Sequence, residues 1–325
     1  MLKKQISPKC KVILIISVIM LMLLAGVGLM VYPIAASLYM ESVRSEIQTE
    51  YEQQIITSDS HDLERVRENA QKYNALLANG QINILDPEKN GYYEQLVIPE
   101  QTSVMGYVHI PRIQVDLPIY HGVDSKVLSA GCGHLPQSSL PIGGKSTHSV
   151  LSAHTGMASS KMFSDLPLLR PGDSFILEVL GEKLTYQIQG PEDIRTVLPV
   201  EVRAVQIQNE KDLCTLVTCT PIGVNTHRLL VTGHRIPNAE VQETINIEQP
   251  PQPEDTESVW KEQYLKSIAM GLCLILAIAV SMLSGFAYYQ YLNHIKKTKC
   301  RKEPKYVKQH NNHWIPEEKV SHSEK

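Results

Sequence analysis

The chain has 325 residues and a formal net charge of −3, with 31 Lys and Arg against 34 Asp and Glu. That length admits one to three domains, and the near-neutral balance argues against a nucleic-acid binder, which would carry a basic face. The hydrophobic share of 43% is ordinary, but two long uncharged stretches hold much of it, so the average conceals a membrane protein.

A basic tail, residues 1–11 with Lys3, Lys4, Lys9 and Lys11, leads into the first stretch, 12–40, which has no charged residue. A helix crosses a bilayer with about 20 apolar residues, and the apolar core of a secretory leader runs only about 7–15. The stretch reads as a transmembrane helix or signal anchor. Ala35-Ala36-Ser37 resembles a small-residue cleavage site, so removal of the leader stays open. The second stretch, 265–293, uncharged from Ser267 on, is followed by a basic tail over 294–325 that holds Lys296, Lys297, Lys299, Arg301, Lys302, Lys305 and Lys308. Positive flanks stay inside. The expectation is a cell-membrane protein with two spans, both termini cytoplasmic and residues 41–264 outside.

Residues 41–80 mix charges with sparse apolar residues and read as a solvated helical stalk, with a break and cap at Ser58-Asp59-Ser60. Residues 81–103 are irregular, with a turn cluster from Asp86-Pro87 to Gly91 followed by Tyr92-Tyr93. From 104 to 237 the pattern is β. Strands are expected at 105–111, 115–120, 149–153, 175–180, 184–189, 213–218 and 229–232, with a hairpin turn at Gly181-Glu182-Lys183 and a short helix over 161–170 ended by Pro171-Gly172. Short strands with frequent Gly and Pro turns predict a mainly β barrel or sandwich. Residues 238–264, acidic and carrying Pro250, Pro251 and Pro253, read as a linker.

Six scattered cysteines without a CxxC pair make neither a disulfide framework nor a dithiol redox site. The densest chemistry lies at 215–231, where two apolar strands flank a polar turn with Pro221, Gly223 and Asn225. Such a hairpin sets Cys219 at the end of one strand and Arg228 at the start of the next, facing one cleft. A cation beside a thiol favours the thiolate, and a guanidinium forks donors toward a carbonyl or oxyanion. Acyl transfer also needs a proton donor for the leaving amine, and His154, at a strand end before Thr155-Gly156, is the best placed histidine. Residue types alone leave Cys219 equally readable as a buried packing cysteine. A zinc site on His148, His154 and Cys219 or His227 lacks the usual ligand spacing. His109, His121, His134, His227 and His234 read as structural or surface residues.

Thr218-Cys219-Thr220-Pro221 and Asn225-Thr226-His227-Arg228 resemble the active-site signature of sortases, most nearly the class C, pilus-assembling group. Gly106-Tyr-Val-His-Ile-Pro-Arg-Ile, Leu117-Pro-Ile-Tyr-His-Gly, Gly133-His-Leu, Ser138-Ser-Leu-Pro-Ile-Gly-Gly and Ser146-Thr-His-Ser-Val-Leu-Ser-Ala-His154 agree, so the resemblance runs over 104–236. It implies an eight-stranded β-barrel preceded by helices, and a cysteine transpeptidase from a Gram-positive cell. It implies Cys219 as the nucleophile on an LPXTG-like sorting signal, His154 as general acid and base, and Arg228 as the group that holds substrate and steadies the oxyanion. The partners implied are pilin or surface-protein substrates and an acceptor lysine of a pilin, with no metal or organic cofactor. Attachment of surface proteins to cell-wall peptide, and a catalytically silent scaffold that binds sorting signals, are the alternatives. Class C members often carry a lid with an Asp-Pro-aromatic motif. Asp86 and Pro87 match its first two positions, Glu88 stands where the aromatic is usual, and the expectation is that Asp86 pairs with Arg228 while Tyr92 or Tyr93 covers Cys219.

Overall fold

The computed structural model describes residues 8–98, 104–157, 160–201, 205–237, 259–300, 306–308 and 314–316. These form two compact units: Met1–Val27 with Ser267–Lys325, and Gly28–Lys266.

In the first unit, helix α1 (Pro8–Thr57) contributes its opening turns and helix α4 (Val259–Cys300) most of its length. Within α4, Ile268–Ile295 is long and apolar enough to cross a membrane, and a shorter apolar segment, Ile13–Gly28, lies in α1. Leu14, Leu21, Leu24, Leu276 and Leu283 all stand exposed. A helix apolar on every side belongs in lipid or a large core, and no core covers these. The linker over 238–258, the tail over 1–7 and most of the tail after 300 lie outside the described residues.

The second unit carries the barrel. Its strands are β1 (Val104–Ile110), β2 (Val115–His121), β3 (Cys132–His134), β4 (Thr147–Ser152), β5 (Ser174–Val179), β6 (Glu182–Gln187), β7 (Ile194–Val197), β8 (Asp212–Thr220) and β9 (His227–Ile236). Eight form a ring in the order β6-β5-β1-β2-β3-β4-β8-β9, closed by β6 pairing with β9. This is the expected mainly β, eight-stranded barrel. The outer edge of β9 is shared: β7 pairs with Arg228 to Val231, and β6 with His234 to Ile236. Gly233 lets the ring close, because a Cβ there would stand 2.7 Å from Phe175 and from Tyr186. Leu117, Ile119, Leu151, Phe175, Leu216 and Val231 fill the interior.

The local chemistry explains where expectation and structure part. The β5–β6 turn is Leu180-Gly181, one residue earlier than expected, both with positive φ (51° and 76°). A two-residue hairpin that matches strand twist needs that conformation. Leu180 tolerates it because its N–H donates to the Tyr51 hydroxyl at 3.0 Å and its side chain is buried. Strands β3 and β7, of three and four residues, are too short for period-2 alternation to show. No α-helix forms over 161–170; Pro167 lies in a single 3-10 turn, Leu166–Leu168, and proline removes the N–H a longer helix would need.

Helix α2 (Ser60–Ala78) starts at the expected break, with the Asp59 carboxylate accepting from the His61 N–H at 3.0 Å. The stalk expectation is corrected: these helices are docked rather than solvated all round. Ala70, Tyr73 and Leu77 of α2 enter the barrel cluster. From α1, Tyr51 packs on Tyr107 with ring centroids 5.4 Å apart. The apolar positions are sparse because each helix buries one narrow stripe. Buried Asn74 clamps the 138–142 segment by both ends of its amide, donating to the Leu140 carbonyl at 3.1 Å and accepting from the Leu140 N–H at 2.7 Å.

Asn74→Ala strands the buried Leu140 N–H, at about 1–3 kcal/mol, while the Leu140 carbonyl keeps the bond it accepts from the Ile142 N–H at 2.8 Å. We expect a loss of roughly 1–3 kcal/mol in urea unfolding, against under about 0.5 kcal/mol for Leu76→Ala on the exposed face.

His134 gives the fold a pH dependence. It is fully buried. Its Nε2–H donates to the Ser139 carbonyl at 2.8 Å, leaving Nδ1 to accept from the Tyr92 hydroxyl at 2.8 Å. Burial pushes its pKa down to about 4, the Ser139 carbonyl opposing. Below pH about 6.5 the unfolded chain takes up a proton that folded His134 refuses, so stability falls as pH drops from about 6.5 toward 4. The contribution is on the order of 3 kcal/mol, and the slope over this window should lose about one proton in His134→Asn, measured by urea unfolding at stepped pH.

Candidate active site

Three neighbouring strands build the site. Strand β8 runs parallel to β4 and antiparallel to β9. Successive side chains of a strand point to opposite faces, and registered partners share a face. The inner face takes Leu151, Cys214, Leu216, Leu229 and Val231, all members of the interior cluster. The outer face therefore takes the alternate set, in rows. His148, Leu213 and His234 form one row, then Val150, Thr215 and Thr232, then Ser152, Val217 and Leu230.

The next row holds Cys219 and Arg228, a registered pair. Strand β4 ends at Ser152, but its pairing with β8 continues: the Ala153 N–H donates to the Val217 carbonyl at 3.2 Å, and the buried Thr218 hydroxyl to the Ala153 carbonyl at 2.8 Å. One more step of the same register sets His154 beside Cys219. The structure thus brings His154, Cys219 and Arg228 into one row at the rim of the barrel, Cys219 central. Adjacent strands lie about 4.8 Å apart, so an imidazole and a guanidinium can both reach over the thiol.

Each member is held locally. The Phe163 N–H donates to the His154 carbonyl at 3.0 Å, folding the next loop back on the histidine. The Arg228 guanidinium donates from one nitrogen to the carbonyls of Asn225 (3.1 Å) and His227 (3.0 Å), which fixes its stem against the β8–β9 turn. Asn225 has a φ of 61° and Gly223 of 80°, conformations that Asn and Gly adopt most readily. All three side chains are half-buried, reachable yet shielded. Cys219, Cys214 and Cys132 are free thiols, and burial pushes the pKa of Cys214 and Cys132 up, which keeps those two inert.

Two rows below, a buried polar network anchors the wall of the cleft. The His148 Nδ1–H donates to the Gln206 carbonyl at 2.9 Å, in the β7–β8 loop, and its Nε2 accepts from the Thr215 hydroxyl at 2.6 Å. Thr215 and Thr232 share a further bond of 2.8 Å. Both His148 nitrogens are thus committed, six residues before His154 along the chain. Among the described residues no group of three His, Cys, Asp or Glu is placed to hold a metal ion. Sequence reading gave this network no role, although His148 and Thr215 stand at alternating positions of apolar strands, where an isolated polar residue signals an internal partner.

The lid expectations are corrected. Asp86 pairs with Lys89 at 2.8 Å, not with Arg228. Tyr92 is buried with its hydroxyl on His134 and its ring on His121, and Tyr93 packs beside them. His134 pairs with Leu151 on the far side of β4 from β8, and Leu151 registers with Leu216. The two tyrosines therefore sit two strands across and three residues down from Cys219. Pro87 accepts from the Tyr92 N–H through its carbonyl at 3.2 Å and closes the turn.

Comparison with known proteins agrees with this geometry. A family model of the sortase domain matches residues 108–236. The crystal structure of sortase C1 from Streptococcus agalactiae is 45% identical, over 58% of this chain and 97% of that one, with a TM-score of 0.54. Sortase C from Clostridium perfringens, in its structure with the C-terminal cell wall sorting motif, is 38% identical over 58% and 97%, with a TM-score of 0.51. Sortase D of Bacillus subtilis is 29% identical over 162 residues, 49% of this chain and 76% of that protein. The chain belongs to the sortase family of cysteine transpeptidases, and its structural neighbours are class C sortases.

Proposed function

We propose that this chain is a membrane-anchored pilin-polymerising transpeptidase in which Cys219 is the nucleophile, His154 the general acid and base, and Arg228 the substrate and oxyanion clamp. The observation that carries this reading is the single row of His154, Cys219 and Arg228 on the outer face of β4, β8 and β9. The Cys219 sulfur attacks the threonine carbonyl of an LPXTG-like signal. The carbon–sulfur bond forms as the bond to the glycine nitrogen breaks, and His154 supplies the proton that the departing amine takes. The incoming amine then attacks the thioester, gives its proton to His154 and releases the Cys219 sulfur as its thiolate. Negative charge on the carbonyl oxygen at each tetrahedral stage falls where the Arg228 donors can reach, and fixed donors placed where charge develops lower such barriers. The acceptor is a lysine side chain of the next pilin, so the product is an isopeptide. On this reading the chain divides into a basic tail, a first span ending near 40, docked helices, a barrel over 104–237, a linker and a second span from 265, with both termini cytoplasmic and the barrel outside.

The full chain in detergent, incubated with an LPXTG-type peptide, should gain the mass of the acyl fragment, and Cys219→Ala should gain none. His154→Ala and Arg228→Ala should form the adduct at least about 100-fold more slowly. An adduct that survives Cys219→Ala, or no adduct with any of several sorting-motif variants, would overturn the assignment.

The acceptor is decided separately. The isolated thioacyl enzyme, offered a pilin-derived lysine peptide and a cell-wall-type amine in equal amounts, should yield an isopeptide at the lysine ε-amine, located by fragmentation mass spectrometry. Transfer to the wall-type amine alone would replace polymerisation by wall attachment.

A further inference from the structure

The row of three leaves one question of position. His154 is the only member without a strand of its own, since β4 stops at Ser152. Its place depends on the loop that follows. That loop folds back through Phe163 N–H on the His154 carbonyl (3.0 Å) and Gly156 N–H on the Ser164 hydroxyl (2.9 Å). Lys161 joins it to the Ile113 carbonyl and to buried Asp165, 3.1 Å away.

One group enters it from another element. The Arg44 guanidinium, on α1, donates to the Ser160 hydroxyl at 2.8 Å and lies 3.3 Å from the Met162 sulfur. Its Nε stands 3.5 Å from the Ala130 carbonyl, at the end of helix α3 (Ser125–Ala130), just before β3. Ser160 and Met162 are both buried, and Met162 takes a φ of 44°, in the left-handed region. A non-glycine residue there is held by its surroundings. Arg44 therefore ties α1, the start of β3 and the returning limb of the His154 loop to one planar fork.

The arrangement is costly as packing. Arg44 is half-buried, and among the described residues no carboxylate lies within ion-pair distance of it. Burial pulls its pKa down, while Tyr120 and Glu41 nearby oppose that. Stripping water from a charge against neutral acceptors is poorly repaid, and an apolar side chain would fill the site at less cost. What a guanidinium supplies that an apolar group does not is direction: several donors in a rigid plane.

We propose that Arg44 is a positioning residue for the transpeptidation, fixing the 160–163 limb and through it the place of His154 over Cys219. It touches neither substrate nor the reacting atoms, and the inference rests on the reading of His154 as acid and base. Lysine in its place can reach one acceptor but not fork across two segments.

The test uses the full chain in lipid nanodiscs as wild type, Arg44→Met and Arg44→Lys. Arg44→Met should lower kcat for sorting-peptide cleavage about 10-fold, as displacement of a catalytic group by a fraction of an ångström does, with KM within about twofold. Backbone hydrogen exchange over 160–165 should rise at least about 10-fold while β8 and β9 keep their protection. Arg44→Lys should recover part of both. Unchanged exchange and kcat in Arg44→Met overturn the proposal, and so does a rise in exchange throughout the barrel with kcat and KM shifting together, which marks a packing role only. A wild-type chain without Cys219-dependent turnover overturns the transpeptidase reading and the role of His154 with it, whereas normal turnover with an undisturbed loop overturns Arg44 alone.

Discussion

Everything in the site depends on the register between β4, β8 and β9. A slip of one residue turns every side chain of a strand to the other face. Slipped by one, β8 would send Cys219 into the barrel, among the residues that hold the thiols of Cys132 and Cys214 protonated by burial, and would raise Leu216 or Thr218 to the surface. Two features forbid it. Cys214 and Leu216 bury apolar surface only on the inner face. Thr215 finds partners for its hydroxyl only on the outer face, where His148 accepts its proton and Thr232 bonds to its oxygen. A buried hydroxyl without a partner costs about 1–3 kcal/mol, so the polar network acts as a key for the register as well as an anchor for the cleft wall.

How much of this was legible in the sequence follows from what each element relies on. The long strands could be read because alternation repeats over five or more residues, and the long apolar stretch of α4 because its composition alone marks it. Strands β3 and β7 could not, since three or four residues carry no period; they are strands because neighbours on both sides, or the free half of β9, offer hydrogen bonds. Cys219 and Arg228 were legible as a hairpin pair, being joined by a short turn. His154 was reached from strand-end logic, and its place beside Cys219 rests on a parallel pairing between segments 65 residues apart, which no local pattern encodes. Arg44 gave no signal, because an arginine on a charged helix looks solvated until the loop it meets is known. The lid expectation failed for the related reason: Asp86-Pro87 specifies a turn, but the partner of Tyr92 is set by a buried His134 two segments away.

The barrel therefore divides its labour by face. The inner face supplies cohesion through apolar packing that would tolerate no partly exposed thiol. The outer face of three strands carries a registered row, Ser152, Val217 and Leu230, that leads to the row at the rim. The outer edge of β9 adds a further constraint. Because β6 takes its last three residues and β7 its first few, the ring closes at the end away from Arg228, and the strand pairing at the site is finished by a short segment that need not enclose anything.

That division places chemistry and selectivity on different parts. On the proposed reading, bond breaking requires distances that strands hold and loops do not, which fits Cys219 and Arg228 lying on β8 and β9 and His154 being reinforced by its own loop. Recognition of one amine over another requires surfaces that can differ between relatives without moving the row, and the segments free to do so are those after His154, between β7 and β8, and between β8 and β9. The middle one is tied down at Gln206 by His148 and the first at Ser160 by Arg44, so each has a fixed root near the row and a remainder open to variation. A sortase built this way can change its acceptor by altering loop residues beyond those roots, while alteration at the roots themselves should disturb the shared chemistry for every substrate alike.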